Sequence, residues 1–191
     1  MKKYFLLGLI CLSALTVIAQ TNGNKLPAVD KSPMDMAYYP VNYPVLKIQD
    51  KATEPLVARV IYSRPLKNNR TIYGELVEYN QVWRLGANEA TEIEFFRNVT
   101  IGGKKIPKGR YTLFAIVSPN EWTLIVNKDT DIWGAFKYDE KKDVARVMVA
   151  PQKTTEPVEA FTMSFNKESN NNINLVIAWD TVMVNLPISL K

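Results

Sequence analysis

The stretch from Trp83 to Thr91 concentrates the side chains in this sequence that are best suited to hold a ligand. It reads WRLGANEAT, and within this run stand Arg84, Asn88, Glu89 and Thr91. The small residues between them let the backbone turn tightly, which brings these side chains close together. A planar guanidinium beside an amide and a carboxylate can bind a carboxylate or a polyol through paired hydrogen bonds. We therefore predict that this loop binds a small anionic or polyol ligand.

The same loop also has a purely structural interpretation, which the sequence leaves open. Arg84 and Glu89 can pair with each other, because a partly buried charge must be satisfied by a neighbour. A second arginine follows in the run Ser63-Arg64-Pro65, at the end of a predicted strand. If Ser63 and Arg64 lie beside the loop, they complete an electropositive pocket. If the Arg64 side chain points into water, Arg64 has no role beyond ending its strand.

Three acidic residues suggest an alternative function, which is hydrolysis by carboxylates. Glu92 and Glu94 alternate along a predicted strand, and Glu89 precedes them. Glycosidases use two carboxylates about 5 to 9.5 Å apart. However, any two residues at alternate positions of a strand are about 7 Å apart, so the spacing is unspecific. We assign no catalytic residue.

The residue types that are missing exclude several classes of enzyme. The chain has no histidine, and its single cysteine, Cys11, lies in an N-terminal apolar run. Histidine-dependent triads, thiolate nucleophiles and the common zinc, copper or iron sites therefore lack their essential groups. We expect no cofactor and no metal. Lysine and arginine are spread along the whole chain with a formal net charge of +5, so we expect no nucleic-acid partner.

The first nineteen residues have the pattern of a cleavable export signal. Lys2 and Lys3 precede an apolar run that ends at Ile18, and Ala19 offers a small residue for cleavage before Gln20. The run is shorter than the roughly 20 apolar residues that a membrane-spanning helix needs. We expect cleavage after Ala19, a periplasmic or extracellular protein, and no transmembrane segment in the mature chain.

The remaining residues divide into a Pro- and Tyr-rich arm, at 20–55, and a β-domain, at 56–191. Prolines disfavour regular helix and central strand in the arm, although its tyrosines could lie along a sheet edge. After residue 55, short β-branched and aromatic runs alternate with turns, which predicts about ten strands. The clearest runs are 57–63, 72–77, 91–96, 111–117, 122–127, 144–149, 160–165, 173–179 and 182–188, with a tight hairpin at 99–106.

Such evenly spaced strands are typical of an all-β fold, and we predict an antiparallel β-sandwich of the jelly-roll or Ig-like kind. Three tryptophans can either fill its core, which is commoner, or stack on sugar rings. They are Trp122, Trp133 and Trp179.

Several short motifs occur together in an order that resembles a family of exported bacterial proteins, known as domain of unknown function 2911. The most specific of them is the run Trp83 to Thr91. The others are Tyr62–Pro65, Arg70–Gly74, Gly109–Leu113, Glu121–Thr123, Trp133–Ala135 and Asp143–Val147. The resemblance runs from about Ser32 to Pro187 and implies a shared fold and export, without an established activity.

The sequence thus favours an exported β-sandwich that acts as a binding or interaction module. The ligand-binding candidates are Arg84, Asn88, Glu89, Thr91, Ser63 and Arg64. An envelope structural protein that works through the arm and a sheet edge is one alternative, and a carboxylate-based hydrolase is another. The oligomeric state is left open.

Overall fold

The computed structural model describes residues 26–191, so the predicted signal peptide and its cleavage after Ala19 lie outside the described residues. In chain order the elements are β1 (Met34–Tyr39), α1 (Tyr43–Ile48), β2 (Ala58–Ser63), β3 (Val82–Trp83), β4 (Glu92–Phe95), β5 (Val99–Ile101), β6 (Lys104–Ile106), β7 (Gly109–Val117), β8 (Trp122–Asn127), a 3₁₀ turn (Glu140–Lys142), β9 (Asp143–Val149), β10 (Gln152–Lys167) and β11 (Asn172–Ser189). This confirms the all-β prediction.

The strands form two antiparallel sheets that pack as a sandwich. The larger sheet has the order β1-β2-β4-β7-β8-β9, with β3 also paired to β7. The smaller sheet has the order β10-β11-β5-β6. Because β8 occupies one side of β7, β3 and β4 lie in line along its other side, with the loop of residues 84–91 between them. The fold therefore places the predicted ligand loop at a break in a sheet.

The core between the sheets is built around large aromatic side chains, because alternate positions of each strand face inward. The Trp83 ring stacks on that of Trp179 at 6.2 Å, and meets the Trp122 and Phe161 rings edge-on at 6.1 and 5.4 Å. Trp122 and Trp179 are almost fully buried, which confirms that they fill the core. Trp133 is exposed instead.

A second, smaller apolar cluster covers the outer face of the larger sheet. Ala90, Phe114 and Ile125 are buried there beneath a segment that follows β8. That segment contributes Ile132, Ala135 and Tyr138, and the Tyr138 ring meets that of Phe114 edge-on at 5.1 Å. The loop after β8 is therefore held down on the sheet by its own apolar residues.

The predicted strand at 72–77 is wrong, because this segment folds back on itself as a loop. The Gly74 N–H donates to the Val77 carbonyl at 2.9 Å, and the Val77 N–H donates to the Ile72 carbonyl at 2.8 Å. Gly74 has a φ of +93°, which only glycine adopts readily. Ile72 and Val77 are buried, so these two apolar side chains anchor the loop to the core. They do not form one face of a strand.

Two further differences concern the two ends of the chain. The predicted strands at 173–179 and 182–188 form the single strand β11, in which Asp180 has a φ of +53° beside a register shift in β10. In the arm, β1 is the edge strand of the larger sheet, and a short helix follows it. Pro44 lies in the first turn of that helix, where a missing N–H costs no hydrogen bond.

Candidate functional site

The loop of residues 84–91 is a closed bulge between β3 and β4. At its base the Thr91 N–H donates to the Arg84 carbonyl at 3.1 Å. Inside the bulge the chain takes positive φ at Leu85 (+55°), Gly86 (+144°) and Asn88 (+58°), so it reverses direction within a few residues. Leu85 is buried and anchors the bulge to the core.

Ser63 and Thr91 hold this bulge in place through hydrogen bonds to its backbone. Both are buried, and the Ser63 hydroxyl accepts from the Ala87 N–H and donates to the Ala87 carbonyl, each at 2.6 Å. The Thr91 hydroxyl donates to the Leu85 carbonyl. A β-carbon at Gly86 would come within 2.7 Å of the Ser63 oxygen, so the close approach of β2 requires glycine.

Arg64, the residue after Ser63, joins the two sheets. Its guanidinium donates to Asp35 at 3.0 Å, to the Thr162 hydroxyl at 3.0 Å and to the Phe161 carbonyl at 3.2 Å. Asp35 belongs to β1, and the other two partners belong to β10. All three contacts are internal, so Arg64 positions the edge strand over the smaller sheet.

Arg84 has a different environment, because its guanidinium lines a cavity of about 210 Å³, named here the Arg84 cleft. Its Nε atom is buried and has no hydrogen-bond partner within residues 26–191. Burial lowers the pKa of Arg84, since the low-polarity surroundings disfavour the charged form. No ion pair joins Arg84 to Glu89 within the described residues.

The walls of the Arg84 cleft combine apolar and polar surface in about equal shares, and they include a second cation. The apolar residues include Trp83, Trp179 and Pro65, all of which are largely buried. Both indole N–H groups already donate to backbone carbonyls, at 3.1 and 3.2 Å, so neither is available to a ligand. Arg70 also lines the cleft, and its guanidinium is held by the carbonyls of residues 66 and 67. The sequence indicated Arg70 only as part of the motif Arg70–Gly74.

Asn88 and Glu89 occupy the other side of the loop. The Asn88 side chain donates to Asp30 at 3.0 Å, and its carbonyl accepts from the Gly134 N–H at 2.9 Å. Glu89 is exposed and lines a separate cavity of about 180 Å³, named here the acidic cleft, together with Glu92 and Asp131. The structure therefore divides the six predicted ligand residues between two clefts and internal contacts.

The carboxylates of the hydrolase alternative are largely engaged by other groups. Glu94 pairs with Arg59 at 2.5 Å. The two oxygens of Glu92 accept from the Asp131 N–H at 2.6 Å and from Arg110 at 3.3 Å. Glu89 is the member of the three that has no hydrogen bond or ion pair within residues 26–191. Among Glu89, Glu92 and Glu94, the structure therefore shows one carboxylate without a partner within residues 26–191.

The described part of the chain holds no group of three or more metal-ligating residues of the His, Cys, Asp or Glu types. Over the same residues, no helix has the length and apolar character required to cross a membrane.

A family model matches residues 46–188, which is most of the chain and includes both β-sheets. The chain belongs to the family described as protein of unknown function (DUF2911). The matched residues include the bulge of residues 84–91 and the residues of the Arg84 cleft from Pro65 to Trp179. Ser32 and β1 precede the matched range. Comparisons with curated proteins and with solved structures found no relative.

Proposed function

We propose that this DUF2911 protein is an exported binding module that holds a small organic anion in the Arg84 cleft. The observation that carries the proposal is the buried Arg84 Nε, which has no partner within the described residues. A buried, unpaired donor on a charged group costs stability, and each such group in a native protein requires an explanation, such as an ion or a functional role. An anion in the cleft would pair with the terminal nitrogens of the guanidinium, because Nε itself is closed to solvent.

The composition of the cleft supports an anion with an apolar or aromatic body. Leu76, which is 47% exposed, offers apolar contact, while Arg84 and Arg70 supply positive charge. Trp83 and Trp179 also line the cleft, although both rings are largely buried. A pocket with apolar walls and a few directed polar groups is the usual form of a small-molecule site. A carboxylate or phosphate between two guanidinium groups forms charge-assisted hydrogen bonds, which are about twice as strong as neutral ones.

Binding is favoured over catalysis at this cleft. Among the described residues that line it, none carries a carboxylate, a thiol or an imidazole. The remaining polar side chain is that of Ser32, whose backbone N–H donates to the Asp30 carboxylate at 2.6 Å. The side chains that line the cleft thus supply groups to hold an anion, and none of them is a general base of the His, Asp or Glu type.

Thermal unfolding of the mature protein with a panel of anions tests the proposal. The panel contains phosphate, sulfate, acetate, benzoate, indole-3-acetate and glucuronate. An anion at a hundred times its Kd adds about 2.7 kcal/mol of stability, a Tm increase of roughly 5 to 10 °C for a domain of this size. We expect the aromatic carboxylates to raise the Tm more than acetate does, because only they fill the apolar walls.

Two variants separate specific binding from general charge effects. Arg84→Met removes the cation and keeps a side chain of similar length, so it should abolish the increase in Tm. Lys104→Gln removes one positive charge from an exposed hairpin position and should leave the increase intact. If no anion of the panel raises the Tm of the wild type, or if both variants respond like the wild type, the Arg84 cleft is not an anion site.

A further inference from the structure

Two aromatic rings lie exposed next to each other on the loop that follows β8. Trp133 is 61% and Phe136 is 83% exposed, although large apolar side chains normally bury most of their surface. Their ring centroids are 5.9 Å apart and their planes differ by 15°, so the rings are offset and nearly parallel. We name this pair the aromatic platform. Neither residue belongs to the Arg84 cleft.

The aromatic platform is held by a rigid base. Ile132, which precedes Trp133, and Ala135, which lies between the two platform residues in the chain, pack on the outer apolar cluster of the larger sheet. The Ile132 carbonyl accepts from the Ala90 N–H at 2.9 Å. Gly134 between the rings has a φ of +71°, and a β-carbon there would come within 2.7 Å of the Phe136 ring. The backbone that carries the two exposed rings is therefore held in place by hydrogen bonding and apolar packing, which lowers the cost of presenting them to a ligand.

The polar groups around the aromatic platform are locally balanced in charge. Glu89 is the bridge partner of Trp133 across the loop, and its exposed carboxylate has no partner within residues 26–191. Asp131, which also lines the acidic cleft, is paired with Arg110. Lys137 follows Phe136 in the chain and is exposed. The unpaired Glu89 carboxylate and the exposed Lys137 ammonium carry opposite charges, so together they favour a neutral ligand over a cationic one.

We propose that the aromatic platform binds neutral carbohydrate, with a sugar ring stacked on Trp133 or Phe136 and its hydroxyl groups donating to Glu89. Aromatic rings stack on the apolar face of a sugar ring, and a carboxylate can accept from two adjacent hydroxyls. The platform and Glu89 supply both elements side by side. This site is separate from the proposed anion site, since it shares no lining residue with the Arg84 cleft.

Tryptophan fluorescence offers a direct test, because Trp83, Trp122 and Trp179 are buried while Trp133 is exposed. Acrylamide quenching of the mature protein is measured with neutral oligomers of glucose, mannose, xylose and N-acetylglucosamine at millimolar concentration. We expect at least one oligomer to protect Trp133 from acrylamide and to shift the emission to shorter wavelength. Titration calorimetry then gives its affinity for the wild type and the variants.

Phe136→Ala and Glu89→Gln should each weaken that affinity about tenfold. Phe96→Ala, which removes a partly exposed aromatic elsewhere, and Arg84→Met should leave it unchanged. A circular dichroism melt of each variant confirms that it is folded. The Arg84→Met result also separates the two sites, since a failure of the anion proposal does not affect the carbohydrate titration.

Three results would overturn the carbohydrate proposal. The first is that no oligomer protects Trp133 in the wild type, or that protection is equal in Phe136→Ala. The second is protection by tetramethylammonium in place of the sugars, which would make the platform a cation site. The third is that Trp133 becomes protected as the protein concentration rises, with a matching increase in mass by light scattering, which would make the platform an interface between two copies.

Discussion

Arg84 and Glu89 stand in the same short bulge, yet they line different clefts. Arg84 lies against the aromatic core side chains Trp83 and Trp179, whereas Glu89 lies beside Asp131 on the outer side of the larger sheet. The bulge separates them because positive φ at Leu85, Gly86 and Asn88 turns the chain between the two positions. The result is one cationic and one acidic surface on opposite sides of a single loop.

The first prediction concerns how much Arg84 destabilises the fold when no ligand is bound. Its buried Nε has no acceptor, so Arg84→Met should raise the free energy of unfolding by about 1 kcal/mol, or roughly 2 to 4 °C in Tm. Urea unfolding without added anion measures this change. A loss of stability in Arg84→Met would show that the guanidinium supports the bulge and is not reserved for a ligand.

The second prediction concerns the close approach of β2 to the bulge at Gly86. Gly86→Ala adds a β-carbon within 2.7 Å of the Ser63 oxygen at a φ of +144°, so it should destabilise the protein by about 2 kcal/mol or more. Gly103→Ala is the matched control, since its φ is +73° and no atom lies within 4 Å. Chemical unfolding should show a much smaller loss for that variant, and equal losses would contradict the packing argument.

The third prediction is a pH dependence that arises from Tyr138. Burial, together with the hydrogen bond that its hydroxyl donates to Asp143 at 2.6 Å, raises the pKa of Tyr138 to about 12. In the unfolded chain a tyrosine ionises near pH 10. The protonated hydroxyl therefore contributes stability that is complete below about pH 10 and is lost as the pH rises towards 12.

Urea unfolding at a series of pH values from 9 to 11.5, with about half-unit steps, measures this loss in the wild type and in Tyr138→Phe. The stability of the wild type should fall more steeply than that of the variant above pH 10. Tyr39, Tyr62 and Tyr111 also have raised pKa values from burial, so the variant should keep part of the slope. Parallel curves would exclude Tyr138 as a contributor.

The fourth prediction concerns the environments of the four tryptophans, all of which lie within residues 26–191. Trp133→Phe should shift the emission maximum to shorter wavelength and remove most of the quenching by acrylamide, because the remaining three indoles are buried. Trp133 stacks only on exposed Phe136, so the substitution should leave the melting temperature nearly unchanged. Strong residual quenching in the variant would place a second indole at the surface.

Much of the sheet structure could be predicted because strand alternation is a local property. In β2, Ala58, Val60 and Tyr62 face the core, as their period of two indicates. The hairpin of β5 and β6 forms around Gly102 and Gly103, whose positive φ suits a tight turn. The segment at 72–77 shows the limit of this reasoning. A compact loop that buries an apolar residue at each end can have the same apolar pattern as a short strand.

The candidate site was less predictable, because its character depends on partners distant in the chain. The residue types in the bulge were evident, but Ser63 bonding to Ala87 and Arg64 bonding to Asp35 are long-range contacts. The contributions of Arg70 and Trp179 to the Arg84 cleft also come from other elements. The residues next to an arginine in the sequence do not indicate whether its guanidinium will have a hydrogen-bond partner in the fold.

By itself, the sequence determined the family, the all-β class and the loop that carries the polar residues. All three depend on residue type and short-range spacing. Only the tertiary structure decided that Arg64 is used internally, that the Arg84 Nε has no partner within residues 26–191, and that Trp133 is exposed while Trp122 and Trp179 are buried. The physical reason is that burial and hydrogen bonding are completed by the element packed against a residue, which the residue's own neighbours in the sequence do not specify.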